Sequence, residues 1–536
     1  MSANSNLKIA LTFSGGGYRA ATFHLGVLSY LYSFKLDEGS LLDRIHAMST
    51  ISGGTITGLR YMLGVSRNEL PEEIFKKLYH FLTEVDLPTT AMNHLHEKDK
   101  GQTVSLIRTM ANIYNDKLFD GARFGEVMDG LSKNHIQQFS ANATDFVNAL
   151  PFRFQATAGR QESNTGYGII GNYSTPISRT IAKHIRLSEI LACSSCFPSG
   201  FEPLMFPTDF DLGDSQEVKE YIAKREAIGI MDGGIVDNQG IEPIILADDR
   251  MVKAASGEKE AGFDLVIISD VASPYMDAYK TTDVELPAKL NKLTLKKLSS
   301  FLWAGGFAMT LLTGLSFYFA PGSFISGVLF AVWAIVAALL VYYSILKNKV
   351  LDLIKGSIIK NSFQAISNLK VGDIATLVVN RVNSVLMLTT TVFMKHLRRM
   401  NYRTAYNKES WNNRVIMNGV YELRPGESWV SKLKKKEIPE YLKPSEAIQQ
   451  TSEKAASMGT TLWFSEEDKK NGVHDALVAT GQYTICFNLL EYIYLIKKNP
   501  VNLNEQHHFL ISLEERLKAD WEEFQKNPMC KKTTSI

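Results

Sequence analysis

From Leu298 to Leu346 the chain carries no charged residue, while Lys296 and Lys297 precede the stretch and Lys347 and Lys349 follow it. The run breaks once, at Ala320-Pro321-Gly322-Ser323, which has the residues of a turn. Each half is about 20 residues long, the length of a helix that crosses a hydrocarbon core. Trp303, Tyr318, Trp333 and Tyr342 lie toward or within the ends, loosely as an aromatic belt requires. The pattern predicts a transmembrane helical hairpin over 298–346. The plainer alternative is an apolar hairpin buried in a soluble core or in the interface of a homo-oligomer.

Elsewhere the pattern alternates between short apolar runs and helical spacing. Leu7 to Phe13 reads as a strand, broken by Ser14-Gly15-Gly16-Gly17. Tyr18 to Phe34 then sets Phe23, Val27, Leu28 and Leu31 on one helical face. Arg44 to Thr50 is a second strand, Ile51 to Gly54 a sharp turn, and Thr55 to Leu63 a helix. Repeated strand–turn–helix units predict an α/β layer architecture. Residues 66–150 read as mainly helical. Phe152 to Ala158, Ile228 to Met231 and Phe263 to Ser269 read as strands, and Leu187 to Ala192 as a short helix. Ile374 to Arg399 is long and apolar but holds Arg381 and Lys395; charge inside lipid is costly, so it reads as a soluble or interfacial helix. Residues 401–475 read as polar and irregular, with a strand candidate at Val415 to Asn418, and Val478 to Leu495 as helical.

Charge and cysteine content narrow the function. A net charge of +2 over 536 residues argues against nucleic-acid binding driven by bulk charge. Four cysteines in so long a chain do not make a disulfide scaffold. Met1 to Asn6 shows no secretory pattern. Lys289, Lys292, Lys296 and Lys297 flank the apolar stretch on one side, and Lys347, Lys349 and Lys355 on the other. The positive-inside rule then puts both flanks, and the rest of the protein, on the cytoplasmic side.

Three glycine-rich turns carry candidate chemistry. In Ser14-Gly15-Gly16-Gly17-Tyr18-Arg19, consecutive glycines ahead of a helix can aim backbone N–H groups at one anion, a phosphate or an oxyanion. No Gly-Lys-Ser/Thr follows, so it is not a Walker loop. Gly15, Gly17 and Ala20 fit the looser dinucleotide fingerprint, but no acidic residue closes a second strand at the expected distance. Thr50-Ile51-Ser52-Gly53-Gly54 places a serine between strand and helix, the setting of a nucleophile elbow, with Thr50 where a glycine is usual. Asp232-Gly233-Gly234 follows a short apolar strand, where an aspartate can approach a serine closely enough to take its proton. His24 and His46 read as packing groups, and Cys193-Ser194-Ser195-Cys196 as a small-residue loop rather than a redox or metal pair. The lysines at 432 and 434–436 read as a solvated face. Taken alone, each glycine turn is common.

Together and in this order, the three turns resemble the patatin-like phospholipase family. Phe23-His24-Leu25-Gly26-Val27-Leu28 resembles the family's first helix, and Cys193 to Pro198 its loop before the aspartate strand. The resemblance spans roughly residues 7–275 and resumes loosely around Arg381 to Arg399. It implies a three-layer α/β/α sandwich with the hairpin inserted. The domains would be a main catalytic part at 1–297, the hairpin at 298–346, and a remainder at 347–536 that completes the catalytic domain. It implies Ser52 as nucleophile, Asp232 as base, and an oxyanion hole from Gly15, Gly16, Gly17 and Gly53. Arg19, Gly54, Gly233 and Gly234 would support them. No metal or cofactor is required. The expected activity is a membrane-tethered hydrolase releasing fatty acids from phospholipids through an acyl-enzyme. The alternatives are a catalytically silent membrane scaffold on the same fold and a nucleotide-binding membrane protein.

Overall fold

Ile9–Phe13 forms β1, and its alternating side chains go to opposite faces of a sheet, as strand geometry demands. Ile9, Leu11 and Phe13 join one buried apolar cluster, while Ala10 joins another. The same split divides Leu265 and Ile267 from Val266 and Ile268 on β9 (Leu265–Asp270). The sheet is therefore covered on both faces. The computed structural model describes residues 7–95, 104–159, 168–198, 200–255, 261–276, 278–355, 368–500 and 503–531. The polar lead-in of residues 1–6 lies outside them.

Two compact units make up the chain: Met1–Met276 with Thr390–Ile536, and Asp277–Thr389. The first holds a ten-stranded mixed sheet whose main path runs β10-β9-β1-β2-β3-β4-β5-β6. Here β2 is Ile45–Ile51, β3 Gln138–Asp145, β4 Leu150–Thr157, β5 Ile170–Gly171, β6 Pro176–Ile177 and β10 Val415–Gly419. The strands from β10 to β3 are parallel, and those from β3 to β6 are antiparallel. Two further strands, β7 (Leu204–Phe206) and β8 (Ile228–Asp232), leave this path, with β8 antiparallel to β3.

That last pairing decides where the chemistry sits. β4 occupies one edge of β3 along Gln138–Asp145. A strand has two edges, so β2 and β8 share the other. β2 pairs along it as far as Ile51 opposite Asn142, and β8 arrives from the opposite direction with Asp232 opposite Ala143. The C-terminal ends of β2 and β8 thus meet head to head at adjacent residues of β3. Residues 66–150 are therefore not all helical. In β3 the apolar positions are only Phe139, Ala141 and Ala143, too small a signal to stand out as a strand.

Helix α1 (Gly17–Ser33) is buried around its whole circumference from Tyr18 to Leu31, not along one face alone. The reason is helix Val473–Lys498, itself buried over most of its length, which crosses α1 at Gly26 and Gly481. A methyl group at Gly26 would stand 2.1 Å from the Val478 carbonyl oxygen, so only glycine allows this approach. Helix α2 (Gly53–Ser66) follows β2 directly. On the other face, Ile241, Ile244 and Ala247 of helix Ile241–Ala254 pack with Ala405 and Trp411 against Ala10, Ala47, Val266 and Ile268. The stretch 401–475 is more regular than its polarity suggests, with helices Ser428–Lys434, Glu446–Ser457 and Glu466–Lys470. Lys432 is ion-paired with Glu491 at 2.7 Å rather than simply solvated, whereas Lys434, Lys435 and Lys436 are exposed.

The second unit holds helices Leu295–Phe319 and Phe324–Lys355, joined at 320–323. The Ser326 hydroxyl donates to the Ala320 carbonyl at 2.8 Å and ties the turn. Trp333 Nε1 donates to Thr310 Oγ1 at 2.9 Å between the helices. Their apolar side chains are not buried in this chain: Phe301 is 78% exposed, Phe307 68% and Phe324 87%. Among the described residues, three helical runs are long and apolar enough to cross a membrane: Lys296–Phe319, Phe324–Ile345 and Val371–Asn407. The third contains the stretch expected to be interfacial, and the helix widens to a π-turn at Leu388–Val392.

Candidate active site

Ser52 sits between β2 and α2 with φ 49° and ψ −120°. A non-glycine residue with positive φ is costly and persists only where its surroundings hold it. Several polar contacts do so. The Ser52 N–H donates to Ser194 Oγ at 2.9 Å, and the Ser194 hydroxyl donates to the Asn142 carbonyl at 2.7 Å. Thr55 Oγ1 lies 2.8 Å from Ser194 Oγ and donates to Thr50 Oγ1 at 3.1 Å. The Asn142 amide donates to the Thr50 carbonyl at 3.0 Å and to Ser49 Oγ at 2.9 Å.

Thr50, the departure from the usual elbow, fits because of Gly58. A methyl group at Gly58 would lie 2.4 Å from Thr50 Cγ2. The space that a glycine at 50 would leave open is supplied instead by Gly58 in α2.

Asp232 ends β8 buried, 2% exposed, and lines the same cavity as Ser52. Burial lifts the carboxyl to about 7, although the Gly234 N–H and the Ser52 hydroxyl pull it down. The Gly234 N–H reaches Asp232 Oδ1 at 2.7 Å, and the Asp232 N–H donates to the Cys196 carbonyl at 3.0 Å. Gly233 lies so close to Asn142 that a methyl group there would meet its carbonyl oxygen at 2.5 Å.

The glycine loop closes over the elbow. Gly16 and Gly17 have φ 143° and 58°. A Cβ on Gly53 would stand 2.0 Å from the Gly17 carbonyl oxygen, and one on Gly54 2.5 Å from that of Phe13. Among the described residues, no hydrogen-bond acceptor takes the N–H of Gly16, Gly17 or Gly53. Gly15 differs: its N–H donates to the Asn238 carbonyl at 3.1 Å. The expectation that Gly15 donates to an oxyanion is therefore corrected. Its part is to leave room for Asn238, whose Oδ1 would be 2.5 Å from a Cβ there.

Arg19 is 7% exposed, and its Nη1 donates to Tyr421 Oη at 2.9 Å and to the Met458 carbonyl at 2.8 Å. It braces α1 against residues hundreds of positions away. Gly15, Gly16, Gly17, Ser52, Asp232 and Asn238 all line one cavity of about 410 Å³. Thr460 to Trp463 and a face of helix Phe393–Asn407 complete it. These last contributors were not legible beforehand, because they come from stretches read as irregular or merely interfacial.

The two histidines stay out of this cavity. His24 is fully buried, stacks on Phe13 at 4.3 Å, and burial lowers its pKa to about 3. His46 packs edge-on against Phe263, with its pKa lowered by burial. Cys193 and Cys196 are free and buried, and burial raises both thiols. Among the described residues no three His, Cys, Asp or Glu side chains converge as a metal site requires.

No curated protein matches the chain. Among solved structures, human GIVD cytosolic phospholipase A2 is similar over 50% of this chain and 43% of that one, with 12% identity and a TM-score of 0.29. The chain thus spans less than half the length of that structure. The family model for patatin-like phospholipase matches residues 11–245, a range that includes the glycine loop, the elbow and Asp232-Gly233-Gly234. Residues 11–245 therefore form a patatin-like phospholipase domain.

Proposed function

We propose that this protein is a membrane-tethered serine acyl hydrolase that releases fatty acids from phospholipids through a Ser52–Asp232 dyad. The observation that carries the reading is that Ser52 and a buried Asp232 carboxyl, lifted by burial to about 7, line the same cavity. A carboxylate tuned to that range accepts a proton at neutral pH more readily than an ordinary one.

In this mechanism Asp232 takes the hydroxyl proton as Ser52 Oγ attacks the ester carbonyl. The oxyanion of the tetrahedral intermediate accepts from the N–H groups of Gly16, Gly17 and Gly53. Collapse breaks the ester C–O bond, and Asp232 returns its proton to the departing alcohol, leaving acyl-Ser52. Water, deprotonated by Asp232, then attacks the acyl carbon, and fatty acid leaves as Ser52 regains its proton.

Support for the tether comes from the length and exposure of the apolar helices. A bilayer solvates such surfaces, and basic flanks favour the cytoplasmic side. The test is covalent trapping. A fluorophosphonate incubated with the full chain in detergent should label Ser52, as read by peptide mass spectrometry. Labelling elsewhere, or none in a folded sample, would remove Ser52 as nucleophile.

A further inference from the structure

One wall of the catalytic cavity comes from a segment outside residues 11–245. Thr391, Met394, Lys395 and Arg398 line it, at helical spacings that share one face. Two of the four are cations, and their surroundings differ. Arg398 Nε pairs with Asp270 Oδ2 at 2.7 Å, and Asp270 also accepts from the Tyr402 hydroxyl at 2.9 Å. The charge of Arg398 is thus largely answered from behind the wall.

Lys395 is held otherwise. Its Nζ donates to the carbonyls of Ser273 and Tyr275. These acceptors fix the ammonium but carry no net charge. Among the described residues no carboxylate lies within ion-pair distance of it. Two of its three N–H groups are engaged, which leaves one donor at the cavity wall, although burial and the neighbouring Arg398 lower its pKa. Arg19 does not fill this role, since its Nη1 is committed to Tyr421 and Met458.

Among the described residues, Asp232 is the only carboxylate that lines the cavity, against Arg19, Lys395 and Arg398. Such a cavity favours a substrate that brings its own negative charge near the ester. Resting on the hydrolase reading above, we propose that Lys395, seconded by Arg398, binds the phosphodiester of the lipid and so selects phospholipids over neutral glycerides. A charge-assisted contact of this kind discriminates by about tenfold or more.

The test uses the full chain in detergent micelles, with phosphatidylcholine and diacylglycerol of the same acyl chains. The wild type should prefer phosphatidylcholine. In Lys395→Gln the ratio of the two kcat/KM values should fall about tenfold or more, through KM for phosphatidylcholine, and Lys395→Arg should restore most of it. An unchanged ratio in a folded Lys395→Gln overturns the proposal, as does an equal fall on both substrates. Inorganic phosphate gives a further arm that needs no variant. Strong inhibition of diacylglycerol hydrolysis by phosphate, with no preference for phosphatidylcholine, would assign the site to a free anion and overturn the head-group role. Failure of the hydrolase reading itself looks different: the wild type would cleave neither lipid.

Discussion

Ser194 Oγ accepts a hydrogen bond from the backbone N–H of Ser52 at 2.9 Å, and its own hydroxyl donates to the Asn142 carbonyl at 2.7 Å. A residue in the last turn of helix Leu187–Ser195 thereby holds the strained elbow after β2 against β3, the strand on which both ends converge. Ser194→Ala removes the acceptor and leaves a buried N–H unpaired. It should cost about 1–2 kcal/mol of stability. It should also lower kcat more than it raises KM, because the proposed nucleophile loses its alignment. Chemical denaturation and steady-state kinetics on one ester check both.

The fit between Thr50 and Gly58 gives a double-mutant prediction. Gly58→Ala forces a methyl group to within 2.4 Å of Thr50 Cγ2, a clash that should destabilise by about 1–3 kcal/mol. Thr50→Ser removes that methyl and keeps the hydroxyl. The double variant should therefore be more stable than Gly58→Ala alone, as read by thermal unfolding. Additive losses would show that the two positions do not compensate.

The pKa of Asp232 sets a pH dependence of both activity and stability. As the proposed base it must be ionised, so kcat/KM should rise about tenfold per pH unit below its pKa near 7 and level off above it. Stability runs the other way. The folded pKa is raised above the ordinary carboxylate value of 3.8, so between 3.8 and about 7 the native state holds more protons than the unfolded state. This group's contribution is full below 3.8 and is lost as pH rises through 7. Asp232→Asn, which cannot ionise, should be inactive yet unfold at a higher temperature than wild type at pH 8, with the difference shrinking toward pH 4.

Much of this site was legible in the chain because glycine and apolar punctuation fall where backbone geometry demands them. The strand before Gly15, the turn at Ser52 and the strand before Asp232 lie within a few residues of their expected places. What joins them was not legible. β3 is built of small and polar residues, and its pairing with both β2 and β8 is a long-range fact that no local pattern carries. The cavity wall at Met394 to Arg398 and the loop at Thr460 to Trp463 come from far along the chain. The oxyanion role expected of Gly15 failed for a similar reason: the partner of its N–H, Asn238, lies on another loop.

The exposed apolar helices predict behaviour in fractionation. The full chain should sediment with membranes and resist extraction by alkaline carbonate. Replacing residues 298–346 with a short Gly/Ser linker should weaken that retention, with any remainder attributable to Val371–Asn407. A full chain that stays in the soluble fraction without detergent, as an oligomer, would instead mean that the hairpin packs against copies of itself.

The most direct test of the dyad is fatty-acid release from mixed phospholipid vesicles by wild type and by Asp232→Asn, both as full chains in detergent. The account predicts release by wild type and a loss of about 10³-fold or more in the variant, with the fold retained. Equal release by both would contradict Asp232 as the base. Release by neither, on phospholipid or on a short-chain nitrophenyl ester, would contradict catalysis itself and leave a silent scaffold on this fold.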